Sequence, residues 1–234
     1  MKSFYLPNNA ARLIVLQRIE LISSFLKKIR KLFGRNFFTN IITKYFLNSK
    51  HIGIKYYEVM QSEFHTFKEY INFDEDKLFL SIGGGLGGLE LIINENLSNK
   101  DYYFIERNFV SKKVKYGWGG KINNEAYNNL GIQKEFLENN GMRNSQINIF
   151  DYDKDKLPVQ KFDVIISLLS LDYHYDFDVY IEYLRKISNS NTKIIFDTIR
   201  HDHFLKIFKN VKVLATQENT THKSKRILCS QFLK

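Results

Sequence analysis

The sequence predicts an α/β protein: a seven-stranded, mostly parallel open sheet with an antiparallel last strand, helices on both faces and a helical portion ahead of it. Three observations predict this. From Lys77 onward, short apolar runs alternate with amphipathic ones, and strands alternating with helices build a parallel sheet covered on both sides. Five glycines (Gly83, Gly84, Gly85, Gly87 and Gly88) stand between the first strand-like run and the first helix-like run. The last two strand-like runs are joined too closely for a crossover helix, so they pair antiparallel.

The elements follow in order. Residues 10–33 read as one amphipathic helix, with Leu13, Leu16, Ile19, Ile22, Leu26, Ile29 and Phe33 recurring at three- and four-residue steps. Lys27, Lys28, Arg30 and Lys31 crowd its end, where cations suit the helix dipole. Further helices are expected in 37–47 and 55–71. Together, residues 1–74 form a helical cap, and 75–234 form the sheet domain. In that domain the strands are 77–82, 101–106, 147–151, 162–169, 192–199, 211–217 and 224–233. Helices are expected at 86–97, around 124–140, at about 177–188 and at 201–209, with Gly141 as the stop of the second.

Composition narrows the function. Residues 1–74 hold 12 Lys/Arg against 5 Asp/Glu, so most of the net charge of +10 lies at the front of the chain. That basicity suits nucleic acid, an anionic membrane surface or an acidic substrate, and it equally suits a plain solvated helix face. A single cysteine, Cys229, excludes an internal disulfide and a cysteine-based zinc site. No uncharged apolar run reaches the length of a membrane span, and the N-terminus lacks the pattern of a signal peptide. The expected location is the cytoplasm or the inner face of a membrane. Asp151, Asp153 and Asp155 alternate like the start of a calcium loop, but the glycine and terminal glutamate of such a loop are missing. No metal is expected.

Glycine weakens helices and strands alike, so five of them together mark a place where backbone approaches a ligand, or a tight turn. A strand, a glycine loop and a helix bind a nucleotide at the carboxyl edge of an open Rossmann-like sheet. The glycine spacing fits two ligands. Gly83-x-Gly85-x-Gly87 resembles the first motif of class I S-adenosylmethionine-dependent methyltransferases. Gly83-x-Gly85-x-x-Gly88 resembles a dinucleotide fingerprint and an NAD(P)-dependent enzyme. Glu106 ends the second strand, 19 residues after Gly87, and an acid there accepts ribose hydroxyls of either ligand.

The neighbours favour the methyltransferase family. Asp151 closes the third strand, Leu157–Pro158 makes a turn, and Phe162–Asp163 opens the fourth strand. This order resembles that family, as does the terminal antiparallel hairpin, and the resemblance covers about residues 77–234. It implies S-adenosyl-L-methionine as cofactor, bound about Ser81, Gly83, Gly85, Gly87, Glu106, Asp151, Tyr152 and Ser167. Ser81 departs from the family, which has an acid two residues before the first glycine.

A methyl acceptor must lie in line with the donor's S–CH3 bond, and a hydroxyl acceptor must lose its proton. The loop after the fourth strand, SLLSLDYHYDFD (167–178), offers His174. Its unperturbed pKa of ~6.5 suits a base at cell pH, and Asp172 or Asp176 are possible orienting partners. His174 packing between tyrosines, or only binding substrate, is the other reading. Tyr173, Tyr175, Arg200 and His201 are substrate-binding candidates at the same sheet edge. Tyr57 and His65 are candidates for a lid, and KYGWGG (115–120), anchored by Trp118, is either a lid element or a plain loop.

The loop is unlike the Asn/Asp-Pro-Pro-aromatic tetrapeptide of amino-methylating enzymes, so oxygen is the preferred acceptor. A looser resemblance to small bacterial sugar and surface-glycan methyltransferases implies a sugar or phospho-sugar as substrate. The alternatives are an RNA methyltransferase with the basic N-terminal helices as its phosphate-binding arm, and a protein whose first helix docks on membrane or a partner.

Overall fold

A computed structural model describes residues 2–97, 99–111, 126–173, 175–216 and 223–233, with the side chains of 35 and 36 excepted. His174 and the KYGWGG segment lie outside the described residues.

The strands are β1 Leu78–Ile82, β2 Asp101–Glu106, β3 Ile147–Asp151, β4 Val164–Ser167, β5 Lys193–Thr198, β6 Phe208–Thr216 and β7 Lys225–Phe232. They form one sheet in the order β3-β2-β1-β4-β5-β7-β6. β1 to β5 pair in parallel, and β7 runs antiparallel between β5 and β6. The expected antiparallel insertion of the last strand is therefore present.

Two-sided burial follows from the strand period of two. Phe79, Tyr102, Phe104, Val164, Ile166 and Ile195 enter a core on one face of the sheet. Leu80, Ile82, Ile105, Ile165, Ile194 and Phe196 enter a core on the other face. Each buried aliphatic or aromatic side chain contributes about 1.5–3 kcal/mol.

The helices are α1 Asn8–Gln17, α2 Ser24–Phe37 (interrupted at Gly34, with φ +81° and ψ 172°), α3 Thr43–Tyr45, α4 Ser49–His65, α5 Gly88–Asn96, α6 Leu130–Asn139, α7 Ile181–Ile187 and α8 His201–Phe204. Phe177, Leu184, Ile187 and Phe204 of the chain around α7 and α8 fill the second core. The front helices share the first core with the sheet: Ala11, Ile14, Tyr56 and Phe64 belong to the same buried cluster as Phe79 and Phe104.

Several elements differ from the sequence expectation. The helix expected at 55–71 is α4, Ser49–His65, which starts earlier, capped by the Asn48 side chain accepting from the His51 N–H. The helix expected at 10–33 breaks after Gln17, where Arg18 takes φ −134°, ψ 84° and Ile22 is extended. Arg18 leaves the helix to pair with Glu63 of α4 through two hydrogen bonds of 2.9 and 3.0 Å. The helix expected at 37–47 contains a π turn, Phe38–Ile42, ahead of the short α3. α8 stops at Phe204 because Phe208–Asn210 belongs to β6 and pairs with β7. Gly141 does end α6, with φ +95°.

Candidate active site

A cavity opens at the carboxyl ends of β1, β2 and β4. Its floor is Gly83–Gly85, and its walls are Glu106 and Arg107 after β2, Tyr152 after β3, and Leu168–Ser170 with Tyr175 after β4. Leu16, Gln17 and Arg18 close it from α1, and Ala126–Asn128 close it from the segment before α6.

Two glycines give the floor its shape. Gly83 and Gly85 have φ +66° and +68°, a conformation that side chains rarely adopt. A Cβ on Gly83 would stand 1.9 Å from Ser170 Oγ, and one on Gly85 would stand 2.3 Å from Gln17 Oε1. Gln17 is held there by donating from Nε2 to the Tyr127 carbonyl at 2.7 Å. The loop thus lets polar side chains come down onto bare backbone. Gly87, with φ +83°, caps α5, and the Gly88 N–H at the start of that helix donates to Tyr56 Oη.

Glu106 meets this loop directly. Its Oε1 accepts from the Gly85 N–H at 2.7 Å. Asn128 donates to the Gly85 carbonyl at 3.0 Å and also to Gln133, so loop and acid are clamped from both sides. Burial pushes the Glu106 carboxyl up to about 8, against the pull of the Gly85 N–H and the Asn128 amide. Beside it, the Arg107 guanidinium lies 5.1 Å from the Tyr152 ring and 5.7 Å from the Tyr175 ring, and it pairs with Asp153 at 3.2 Å. Burial pushes the Tyr175 phenol up to about 12.

The loop after β4 is tied to the loop after β5. Arg200 bonds Asp172 through Nε at 3.0 Å and Asp176 at 2.9 Å, and Thr198 Oγ1 donates to Asp172 at 2.5 Å. The Asp172 N–H donates to the Tyr175 carbonyl and the Tyr175 N–H donates to the Ser170 carbonyl, so the turn folds back on itself. Leu169 and Asp172 take φ +56° and +61°, which costs of order 1–3 kcal/mol each and is sustained by this bonding.

The candidates from sequence therefore separate. Gly83, Gly85, Glu106, Tyr152 and Tyr175 line one cavity. Ser81 lies under the loop rather than in it, and Asp151 closes its own turn by accepting from the Asp153 N–H at 3.1 Å. Ser167 donates to the Ile82 carbonyl and accepts from the Leu171 N–H, which sets the β4 end. Arg200 is held by two carboxylates, and His201 beside it contacts Asp202 at a second surface pocket. Tyr173 does not line the cavity. Tyr57 and His65 lie on α4 and also stay off it: Tyr57 bonds Glu95, and His65 meets the Gln61 carbonyl. Gln17, Arg18, Arg107 and Asn128 join the cavity without any local sequence signal, since each arrives by tertiary packing.

Beneath the loop lies an acid that sequence reasoning missed. A Cβ on Gly84 would stand 2.2 Å from Ser81 Oγ and 3.5 Å from Glu90 Oε1, so both side chains reach under the loop, and the buried oxygens of both make no hydrogen bond among the described residues. Glu90 is buried on α5, and burial pushes it up to about 7. Its folded pKa exceeds the ordinary 4.5. The resulting stability is full below that value and is lost as pH rises through 7, amounting to ~3 kcal/mol at most. Glu90→Gln is expected to raise Tm by several degrees near pH ~8.5 and to leave it little changed near pH ~5. Parallel melting curves of the two proteins at both pH values check this; a pH-independent offset would contradict it.

No protein-family model matches the chain, and no curated protein sequence matches it. Solved structures do. N,N-8-amino-8-demethyl-D-riboflavin dimethyltransferase (RosA) from Streptomyces davawensis is 11% identical, and the match covers 96% of this chain and 70% of that one with a TM-score of 0.52. Precorrin-6y C5,15-methyltransferase from Geobacter metallireducens GS-15 is 14% identical over 80% of this chain and 90% of that one, with a TM-score of 0.44. A mutant of MtNAS in complex with S-adenosylmethionine is 12% identical over 96% and 72%, with a TM-score of 0.45. At these identities the likeness is one of architecture. This chain has the Rossmann-like fold that the methyltransferase RosA also has.

Proposed function

We propose that the chain is an S-adenosylmethionine-dependent methyltransferase that methylates a hydroxyl of a small molecule such as a sugar or phospho-sugar. The observation that carries the reading is the contact of 2.7 Å between Glu106 and the Gly85 N–H. It brings the acid at the end of β2 and the glycine floor into one cavity, and RosA shares the surrounding fold. The residues present fit the group. Glu106 has a second oxygen to accept ribose hydroxyls, Gly83–Gly85 offers a surface free of Cβ atoms, and Tyr152 offers a ring beside it.

When bound, the donor supplies an activated methyl on a sulfonium. The chain supplies position and proton handling. Tyr175 and Arg107 line the cavity and are the residues proposed to meet the acceptor. His174, adjacent in sequence to Tyr175, is the proposed base that takes the acceptor's proton. Asp172 and Asp176 are engaged by Arg200, so their part is to hold the loop rather than to orient the histidine.

Isothermal titration with S-adenosylmethionine, S-adenosylhomocysteine and NAD tests the reading. One-to-one binding of the first two, and none of NAD, is expected. Binding of NAD alone would replace the methyltransferase reading with a nicotinamide-linked one.

A further inference from the structure

The front of the chain carries a surface that the cavity does not use. Between Leu21 and Tyr57 there are eight Lys/Arg and no Asp or Glu, so this stretch holds most of the net charge of +10. α2 lies within it. At about 100° per residue, Phe25, Leu26, Ile29, Leu32 and Phe33 fall on an arc roughly 120° wide. Lys27, Lys28, Arg30 and Lys31 occupy the remainder of the turn. Leu26 and Ile29 pack against the core. Phe25, Leu32 and Phe33 do not: they are 68%, 78% and 58% exposed. Three of the five apolar side chains of this arc therefore stay exposed beside a cationic face.

We propose that α2 docks flat on an anionic lipid bilayer, with Phe25, Leu32 and Phe33 entering the boundary between headgroups and acyl chains. Lys27, Lys28 and Lys31 meet the lipid phosphates. A strongly amphipathic helix of low overall hydrophobicity, basic on one face and carrying Phe and Leu on the other, is the form that lies in a membrane interface. Among the described residues no helix is long and apolar enough to cross a membrane, so the helix lies on the bilayer rather than spanning it.

Charge argues against a second copy of the chain, because a two-fold contact through α2 sets the same cations against each other. The stripe argues against nucleic acid: the most exposed of its members is Leu32, which has no ring for a base to stack on. Residues 19–23 alone separate α2 from Arg18 in the cavity wall. Docking therefore holds the cavity close to the lipid surface.

Co-sedimentation of the full chain with vesicles tests the proposal. Phosphatidylcholine vesicles containing phosphatidylserine are expected to bind the protein, phosphatidylcholine alone is not, and added salt should release it. The double variant Phe25→Ala/Leu32→Ala changes only exposed side chains, so its Tm should hold while its vesicle affinity falls by about tenfold or more. The proposal is overturned by no binding to anionic vesicles, by unchanged binding of the double variant, or by RNA binding without vesicle binding. Concentration-dependent dimerisation in the absence of lipid, abolished by the same variant, would assign the surface to a second copy instead. None of these outcomes depends on whether the cavity takes a methyl donor.

Discussion

Arg226→Met is expected to lower Tm by about 10 °C. The Arg226 side chain is almost wholly buried, and its guanidinium bonds both oxygens of Asp197 at 2.9 and 3.1 Å. It also donates to Thr66 Oγ1 at 3.0 Å and approaches Glu63 at 3.9 Å. Glu63 in turn holds Arg18. This chain of ions joins β5 and β7, two interior strands of the sheet, to α4 and to the end of α1 at the wall of the cavity. Methionine fills similar volume but leaves Asp197 buried without its counter-ion. An uncompensated buried charge costs about 3–5 kcal/mol, and in a domain of this size each kcal/mol moves Tm by about 2–4 °C. The double variant Arg226→Met/Asp197→Leu removes both charges and should recover most of the loss. Thermal melts of the three proteins decide the matter; a single variant within a degree or two of wild type would show that the network carries little stability.

On the proposed function, Glu106→Ala is expected to weaken binding of the methyl donor by about 10²-fold or more above pH about 8, where the wild-type carboxyl is ionised. Hydrogen bonds to a charged group contribute about 1.5–3 kcal/mol each, two ribose hydroxyls are at stake, and about 1.4 kcal/mol is tenfold in affinity. The fold should survive, because Glu106 carries its proton for most of the range below about 8 and its removal orphans no ion. A carboxylate accepts hydroxyl protons and a carboxylic acid competes for them, so donor binding favours the ionised form. Wild-type affinity should then rise with pH until about 8. Calorimetric titrations across that range measure both effects. Unchanged affinity in Glu106→Ala would reduce Glu106 to a clamp for the glycine loop.

Much of the fold was legible because local patterns decide it. Buried parallel strands write themselves as short apolar runs, and the glycine run marks the turn that the Glu106–Gly85 contact later occupies. What stayed hidden depends on partners far away in sequence. The break at Arg18 comes where its side chain pairs with Glu63, and no periodicity in residues 10–33 announces it, since Ile19 and Ile22 keep the apolar rhythm through the break. Phe208–Asn210 has helix-compatible neighbours and becomes strand because β7 offers it hydrogen bonds.

The site divides in the same way. Gly83, Gly85 and Glu106 sit at places dictated by the strand ends. Arg200 is adjacent to a strand end too, yet Asp172 and Asp176 capture it. Glu90 reads as an ordinary helical glutamate until the sheet places Ser81 next to it.

The most direct measurement is a crystal structure of the chain grown with S-adenosylhomocysteine. The nucleoside is expected above Gly83–Gly85 with both ribose hydroxyls on Glu106, and Gln17 displaced from its position over Gly85. A cavity still filled by Gln17, with the ligand bound elsewhere or not at all, would contradict this expectation.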